Sequence, residues 1–597
     1  MRHLPCLLLL ALAVACASPR PQPKPESIEH GLRPPTLVDG DATWSIEERM
    51  RQYHVPGLSI AVFGDGKILW AKGYGLADVE LNQPVTPETL FQAGSVSKPV
   101  AALGALALVE RGQLLLQADI RNVLRSWRLP QNEHTAVAPV TLEGLLSHTA
   151  GMTVHGFPGY PAGTELPSIV QILEGVPPAN TAPVLVDLDP GSRWRYSGGG
   201  YTLAQLAMSD VTGTAFPELM QELVLAPLGM SSSTYEQPLP EARAGAAAAG
   251  YRSDGAAIPG KRNVYPEMAA AGLWTTPSDL ARFALGVQAM LHGNGGPLKQ
   301  ATVEDMLRVR QEHYALGWKI EAPYFTHGGA DEGFRALLYA HATKGYGIAL
   351  MTNSDSGMEL MNEILRSAGV AYAWDEFTGA PVKVATVAPE QLNGFAGRYR
   401  FDEGSALTVS VRGARLEGRL TLRPPFELIP VDANTFVRRD AETRFVFGPE
   451  GLQVEEQREK SAAPRLAQGE RLLDEQLVAG SLDTALEGYR ALHAANPEDP
   501  VVDAERLDRH AGALLERNDF PAALALLRLV AEFQPDSSGA LDSLAVCTEK
   551  SGDKAGAIAL YRQALELAAR PNSPHPEQDA AVRAHASARL KALTGGG

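Results

Sequence analysis

The stretch FQAGSVSKPVAALGALALVERGQL, residues 91–114, places two serines and a lysine at the head of a long apolar run. The run predicts a helix starting near Ser95, and residues three apart on a helix share a face, so the Ser95 hydroxyl and the Lys98 amine can meet. A serine hydroxyl hardly ionises at neutral pH and needs an adjacent base to become a nucleophile. Lysine serves as that base when its pKa falls from about 10.4 toward 7, a shift worth about 4–5 kcal/mol that burial can bring about. The segment PVAALGALALV offers the burial, and the helix N-terminus offers backbone N–H groups where an oxyanion would form. Taken alone, Ser95 reads more readily as a helix cap. The same Ser-x-x-Lys spacing recurs at Ser551 and Lys554, in polar surroundings with no apolar helix directly behind the serine, and is read there as a decoy.

Two further constellations change that balance. GSRWRYSGGGY, residues 191–201, sets Tyr196 beside three consecutive glycines, a run explained only by backbone freedom or close approach of another segment. YFTHGGADEGF, residues 324–334, sets His327, Gly328 and Gly329 at the end of a predicted strand, where small residues let a substrate lie along the edge. Each has a plain reading by itself, Tyr196 as a half-buried anchor and the His-Gly-Gly triplet as a turn. Ser97 is read as orienting Lys98 or lining the helix face, His148 as holding a loop near the site, and Trp274 as core.

Outward from these motifs, the chain reads as α+β in three parts. Residues 43–378 mix short β segments with amphipathic helices. GLSIAVFGDGKILWAKGYG predicts a hairpin across Asp65 and Gly66, and YGIALMTNSD a late strand, so the two ends should pair as an antiparallel sheet around a helical insertion. Residues 385–460 turn to short alternating segments, a small all-β unit with turns at Arg412-Gly413 and at Pro449 to Gly451. Residues 465–597 are rich in Ala, Leu and Glu, with self-similar pieces in which 34 residues separate Ala523 from Ala557. That spacing, with a small residue at a helix crossing and a proline closing the pair, matches tetratricopeptide-like helical repeats. A plain helical bundle is the alternative.

The N-terminus, MRHLPCLLLLALAVACASPRPQPKP, has a basic start, an apolar stretch too short to span a bilayer, then small residues and prolines. Residues 1–15 are expected to be an export signal, with Ala13-Val14-Ala15-Cys16 as a bacterial lipobox, Cys16 as the lipidated residue and residues 16–42 as a Pro-rich linker. The expected location is periplasmic or membrane-anchored. The three cysteines leave too few thiols in a mature chain for a disulfide framework or a thiolate zinc site. The scattered histidines form no His-Glu-x-x-His helix, and no Gly-x-Ser-x-Gly elbow occurs, so neither a metal hydrolase nor an α/β-hydrolase is expected, and no cofactor. A formal net charge of -16 argues against nucleic acid as a partner.

Residues 43–378 resemble the serine β-lactamase and penicillin-binding-protein superfamily, nearest its class C β-lactamase-like esterases and peptidases. The matching motifs, in family order, are VPGLSIAVF, FQAGSVSK, LLSHTAGM, PGSRWRYSGGGY, AAGLWTTPSDLARF, YALGW, HGG and MTNSDSG. The β unit, with GRYRF and PPFELIPV, is similar to the small barrel-like domain often appended to such hydrolases. The resemblance implies Ser95 as nucleophile, Lys98 as its proton acceptor and Tyr196 as general acid/base. It also implies an oxyanion hole from the N–H groups of Ser95 and Ala330, with His327, Gly328 and Gly329 forming the strand motif along the substrate. A phenolate at Tyr196 would need a cation nearby, either Lys98 or a protonated His327.

The sequence departs from the penicillin binders in two motifs. Gly198 stands where they usually carry Asn, and His327 where they mostly carry Lys, leaving a group only partly charged at pH 7; Gly328 also replaces a hydroxyl residue. Lost polar contacts of this kind weaken binding of a carboxylate-bearing acylamide by about 2–4 kcal/mol. The expected function is an exported serine hydrolase acting on a small ester, amide or peptide through an acyl-enzyme on Ser95. The alternatives are a β-lactamase or D-Ala-D-Ala-type peptidase acting on cell-wall peptides, and an idle scaffold that binds a protein or peptide on its repeats.

Overall fold

The computed structural model describes residues 24–374, 377, 381–456, 459–497, 499–570 and 576–595. The expected signal and Cys16 lie outside the described residues.

The apolar segment GLSIAVFG forms β1 (Gly57–Gly64), buried along its whole length because both faces of the sheet are covered. Asp65 and Gly66, at φ 52° and 75°, turn the chain into β2 (Lys67–Asp78), as an Asp-Gly hairpin requires. With β3 (Gln83–Pro84), β4 (Lys319–Glu321), β5 (Tyr324–Asp331), β6 (Phe334–His341) and β7 (Gly347–Thr352), they form one antiparallel sheet in the order β3-β2-β1-β7-β6-β5-β4. The two ends of the segment meet where β1 pairs with β7, Leu58 opposite Thr352 and Phe63 opposite Gly347. Alternation along β1 sends Ala61 and Phe63 to one core and Leu58, Ile60 and Val62 to the other.

The first core holds α1 (Ser97–Glu110), buried from Ser97 to Leu108. A helix apolar on every side belongs at the centre of a domain, and α1 is the pillar on which the site stands. Around it lie α2 (Gly198–Thr212), α3 (Met268–Ala271) and α4 (Pro277–Leu291). The second core is closed by α5 (Gly357–Ala371), through Leu360, Met361 and Ile364.

Eight antiparallel strands follow, from β8 (Gly397–Arg400) to β15 (Glu459–Pro464), in sequential order. A bridge from Tyr399 to Arg465 nearly closes them into a barrel around Leu407, Leu428, Phe436 and Phe447. The N-terminal segment straps this barrel to the sheet domain, with Val38 bridged to Val382 and packed on Ile429 and Val437. The remaining described chain is helical: α6 (Leu473–Val478), α7 (Leu482–Ala495), α8 (Ala504–Glu516), α9 (Phe520–Phe533), α10 (Ser538–Lys550), α11 (Lys554–Ala568) and α12 (Pro576–Thr594).

A buried polar network fixes this helical region to the barrel. Asp474, at 0% exposure, accepts from Ser405, from Tyr489 and, at 3.1 Å, from Arg506, which also reaches Asp402 at 3.0 Å. Burial works against ionisation of Asp474, but His510, 3.5 Å away, and the hydroxyls of Ser405 and Tyr489 outweigh it and hold the carboxyl below its usual range.

Candidate active site

Ser95 does not sit on the helix itself. It occupies a 3-10 turn, Gly94–Val96, that runs into α1, and Val96 takes the cap position without a side-chain bond. Ser95 therefore caps nothing, and its hydroxyl is left to other partners. Gly94 enters the turn at φ 49°, in the left-handed region that favours glycine.

Lys98, 2% exposed, donates from Nζ to Ser95 Oγ at 3.0 Å and to the Ala270 carbonyl on α3 at 2.9 Å. Both acceptors are neutral. Burial, opposed only by the more distant charge of Asp331, brings the amine down to about 7. Ser97 does not touch Lys98: its hydroxyl donates to the Gly94 carbonyl at 2.6 Å and accepts the Leu273 N–H at 3.0 Å, tying the turn to the chain beyond α3.

Tyr196 completes the cluster. The Ser95 hydroxyl is its hydrogen-bond partner, and the Lys98 amine stands 4.8 Å from its ring centroid. Burial, only partly offset by Ser95, pushes the phenol well up, so Tyr196 is a proton donor and not a resting phenolate. His327 cannot supply the cation a phenolate would need. Burial first, and then the nearby Lys98, take its imidazole down to about 3, which makes it neutral where the sequence suggested partial charge.

The glycines beside Tyr196 open α2, where Ser197 caps the helix by accepting the Gly200 N–H at 2.9 Å. A Cβ on Gly198 would stand 2.9 Å from the Phe157 ring, and one on Gly199 would stand 2.7 Å from the Thr153 carbonyl. Segment 153–157 thus fills the space that a side chain at Gly198 would need.

On β5, the pairing with β4 ends at Thr326, so from His327 onward the outer edge has no strand partner among the described residues. Gly328 and Ala330 are exposed along it, whereas His327, Gly329 and Asp331 are buried. Gly329 is the crossing point: a Cβ there would stand 1.9 Å from the Ala93 carbonyl. The Ala330 N–H lies beside the turn, 2.5 Å from where a Gly94 Cβ would be. Ser95, Lys98, Tyr196, His327, Gly329 and Ala330 therefore converge, with Gly328 on the open edge. Ser551 lies elsewhere, capping α10 by donating to the Thr548 carbonyl at 2.7 Å.

Four residues of the site were not singled out in the sequence. His155, Trp194 and Tyr314 ring Tyr196 with centroids 4.9, 6.4 and 6.2 Å away, and Asp331 lies beneath the turn. Trp194 stands next to the motif carrying Tyr196, a signal that was available. His148 does more than hold a loop: it stacks on Tyr196 at 4.2 Å and accepts the Ser197 N–H at 3.1 Å. Trp274 is core, at 1% exposure. Among the described residues no group of His, Cys, Asp or Glu side chains is arranged to hold a metal ion.

The family model described as Beta-lactamase matches residues 45–372, more than half of the chain. The unguisins hydrolase ungD' of Aspergillus campestris is 27% identical over 348 residues, 53% of this chain and 62% of its own. Esterase EstB of Burkholderia gladioli is 31% identical over 204 residues, 33% of this chain and 51% of its own. The chain thus spans between half and two thirds of the length of these curated relatives. A solved octameric penicillin-binding protein homologue from Pyrococcus abyssi aligns over 70% of this chain and 97% of its own, at 22% identity and a TM-score of 0.48. By the match of the family model, the chain belongs to the beta-lactamase family.

Proposed function

We propose that the protein is a serine hydrolase that cleaves an ester or amide through an acyl-enzyme on Ser95. The observation that carries this reading is the 3.0 Å hydrogen bond between a buried Lys98 amine and the Ser95 hydroxyl, the other partner of the amine being the neutral Ala270 carbonyl. A lysine hydrogen-bonded only to neutral acceptors in an apolar setting is held in the neutral form that takes a proton.

The steps follow from the placement of each group. Ser95 Oγ attacks the acyl carbon while its proton passes to neutral Lys98, and the N–H groups of Ser95 and Ala330 receive the oxyanion. Tyr196, kept protonated by burial, gives its proton to the departing alkoxide or amine and is reprotonated from the Lys98 ammonium. Water then attacks the acyl-enzyme as its proton passes to neutral Lys98, and the Lys98 ammonium returns a proton to Ser95 Oγ as the acid leaves.

The neutral His327 and the filled space at Gly198 favour esters over carboxylate-bearing β-lactams. The esterase among the relatives supports the same choice. A short-chain aryl ester should turn over faster than a chromogenic cephalosporin; the reverse order of kcat/KM would move the reading to a β-lactamase. The unpaired edge of β5 favours a second reading, a peptidase of the D-Ala-D-Ala type, because an extended peptide can add to such an edge.

Export and a lipid anchor at Cys16 belong to the same proposal, supported by the pattern of residues 1–16. So does a tetratricopeptide-like role for the C-terminal helices in holding a peptide or protein, supported by the spacing of Ala523 and Ala557, both fully buried.

A further inference from the structure

Alternate residues of a strand share a face, so His327, Gly329 and Asp331 look the same way from β5. The turn carrying Ser95 crosses the strand at Gly329, against the Ala93 carbonyl. His327 and Asp331 therefore stand on either side of the nucleophile. The His327 end meets the aromatic cluster, its ring 6.4 Å from Tyr196.

The Asp331 end is different. Its side chain, 5% exposed, receives the Gly94 N–H, the amide immediately before Ser95. Oδ2 has no hydrogen-bond partner among the described residues. Arg335 follows nearby on β6, but it donates to the Asp331 backbone carbonyl at 2.9 Å and pairs with Asp355 at 3.0 Å. This leaves a buried carboxyl, unclaimed by any close cation, within electrostatic reach of Lys98.

We propose that Asp331 is a positioning residue: its carboxylate holds the Ser95 turn through the Gly94 N–H and provides the counter-charge for the ammonium that Lys98 becomes. The inference rests on Ser95 and Lys98 acting as nucleophile and base. Taking the serine proton creates a buried positive charge, which is costly unless an opposite charge lies near.

The other groups that face Lys98 do not provide it. Ser95 is neutral, and His148, His155 and His327 are all lowered by burial first and by Lys98 next. Tyr196 and Tyr201 are raised by burial. Around Asp331 stand Lys98, Arg335, Tyr265 and Glu267. Burial pushes the Glu267 carboxyl up to about 8, only partly opposed by its own backbone N–H and by Tyr160. Burial likewise raises Asp331 to about 8, with Lys98, the Gly94 N–H and Arg335 opposing. Asp331 and Lys98 each favour the charged form of the other, so they titrate as a coupled pair.

The test is the pH profile of kcat/KM for 4-nitrophenyl acetate, on the full-length protein, between about pH 5.5 and 9.5. A negative Asp331 raises the Lys98 pKa, so Asp331→Asn should move the rising limb down by about one pH unit and lower the plateau about tenfold. Arg335→Gln removes a cation that favours the Asp331 carboxylate, and should shift the limb the same way by less. A uniform loss of rate with the limb unmoved in both variants would make Asp331 merely structural and overturn the proposal. If Asp331→Asn is not recovered folded, Arg335→Gln decides alone, and an unmoved limb there overturns it. Labelling of wild type by a fluorophosphonate separates the two levels: no adduct on Ser95 removes the catalytic reading itself, whereas an adduct with unmoved limbs removes only the role of Asp331.

Discussion

Lys98 decides the chemistry because it is charged or neutral according to its burial. With its pKa brought to about 7 by burial, kcat/KM should rise from pH 6 toward pH 8 as the amine loses its proton, since the neutral form is the base. A rate already flat at about pH 5 would mean that another group accepts the serine proton. Tyr196 acts from its protonated form, which burial maintains. Tyr196→Phe should lower kcat/KM by about 10²–10⁴, the range for loss of a general acid/base, without a change in melting temperature. Near-full activity in that variant would leave proton delivery to Lys98 and water. The neutrality of His327 was hidden in the sequence because it depends on enclosure by residues far along the chain.

The strand and the turn meet through glycine, and that contact is testable. A Cβ on Gly329 would fall 1.9 Å from the Ala93 carbonyl, whereas one on Gly328 would have its nearest neighbour at 3.9 Å. Gly329→Ala should displace Ser95 and cost at least about 10²-fold in kcat/KM, as misplacement by about 1 Å does, while Gly328→Ala should stay near wild type. Equal behaviour of the two would contradict the crossing. Much of this arrangement was legible beforehand. The Asp65-Gly66 turn, the apolar run behind Lys98 and the pairing of the two ends all follow from local pattern. The offset of Ser95 from the helix, the filling of the Gly198 space by segment 153–157, and Asp331 beneath the turn were not legible, since each depends on contacts between segments distant in sequence.

The three parts of the molecule are joined by different means. The strap from Val38 to Val382 ties the barrel to the sheet domain by backbone bridge and apolar packing. Arg506, paired with Asp402, and Asp474, bonded by Ser405, tie the helices to the barrel by buried charge. Removing one member of a buried pair costs about 3–5 kcal/mol, so Asp474→Ala should lower the melting temperature of the helical region. Hydrolysis of a small ester should persist in that variant, because every group proposed to act on it lies between Gly94 and Asp331. Loss of turnover in parallel with helix melting would show that the helices support the site. Because Asp474 is held below its usual range, its contribution is present above about pH 4 and is lost as pH falls through its folded value.

The claim on which all of this depends is that Ser95 is an activated nucleophile. Intact-mass spectrometry of the full-length protein after exposure to a fluorophosphonate should show a single adduct in wild type and none in Ser95→Ala. Absence of an adduct in wild type, or its persistence in Ser95→Ala, would contradict the assignment.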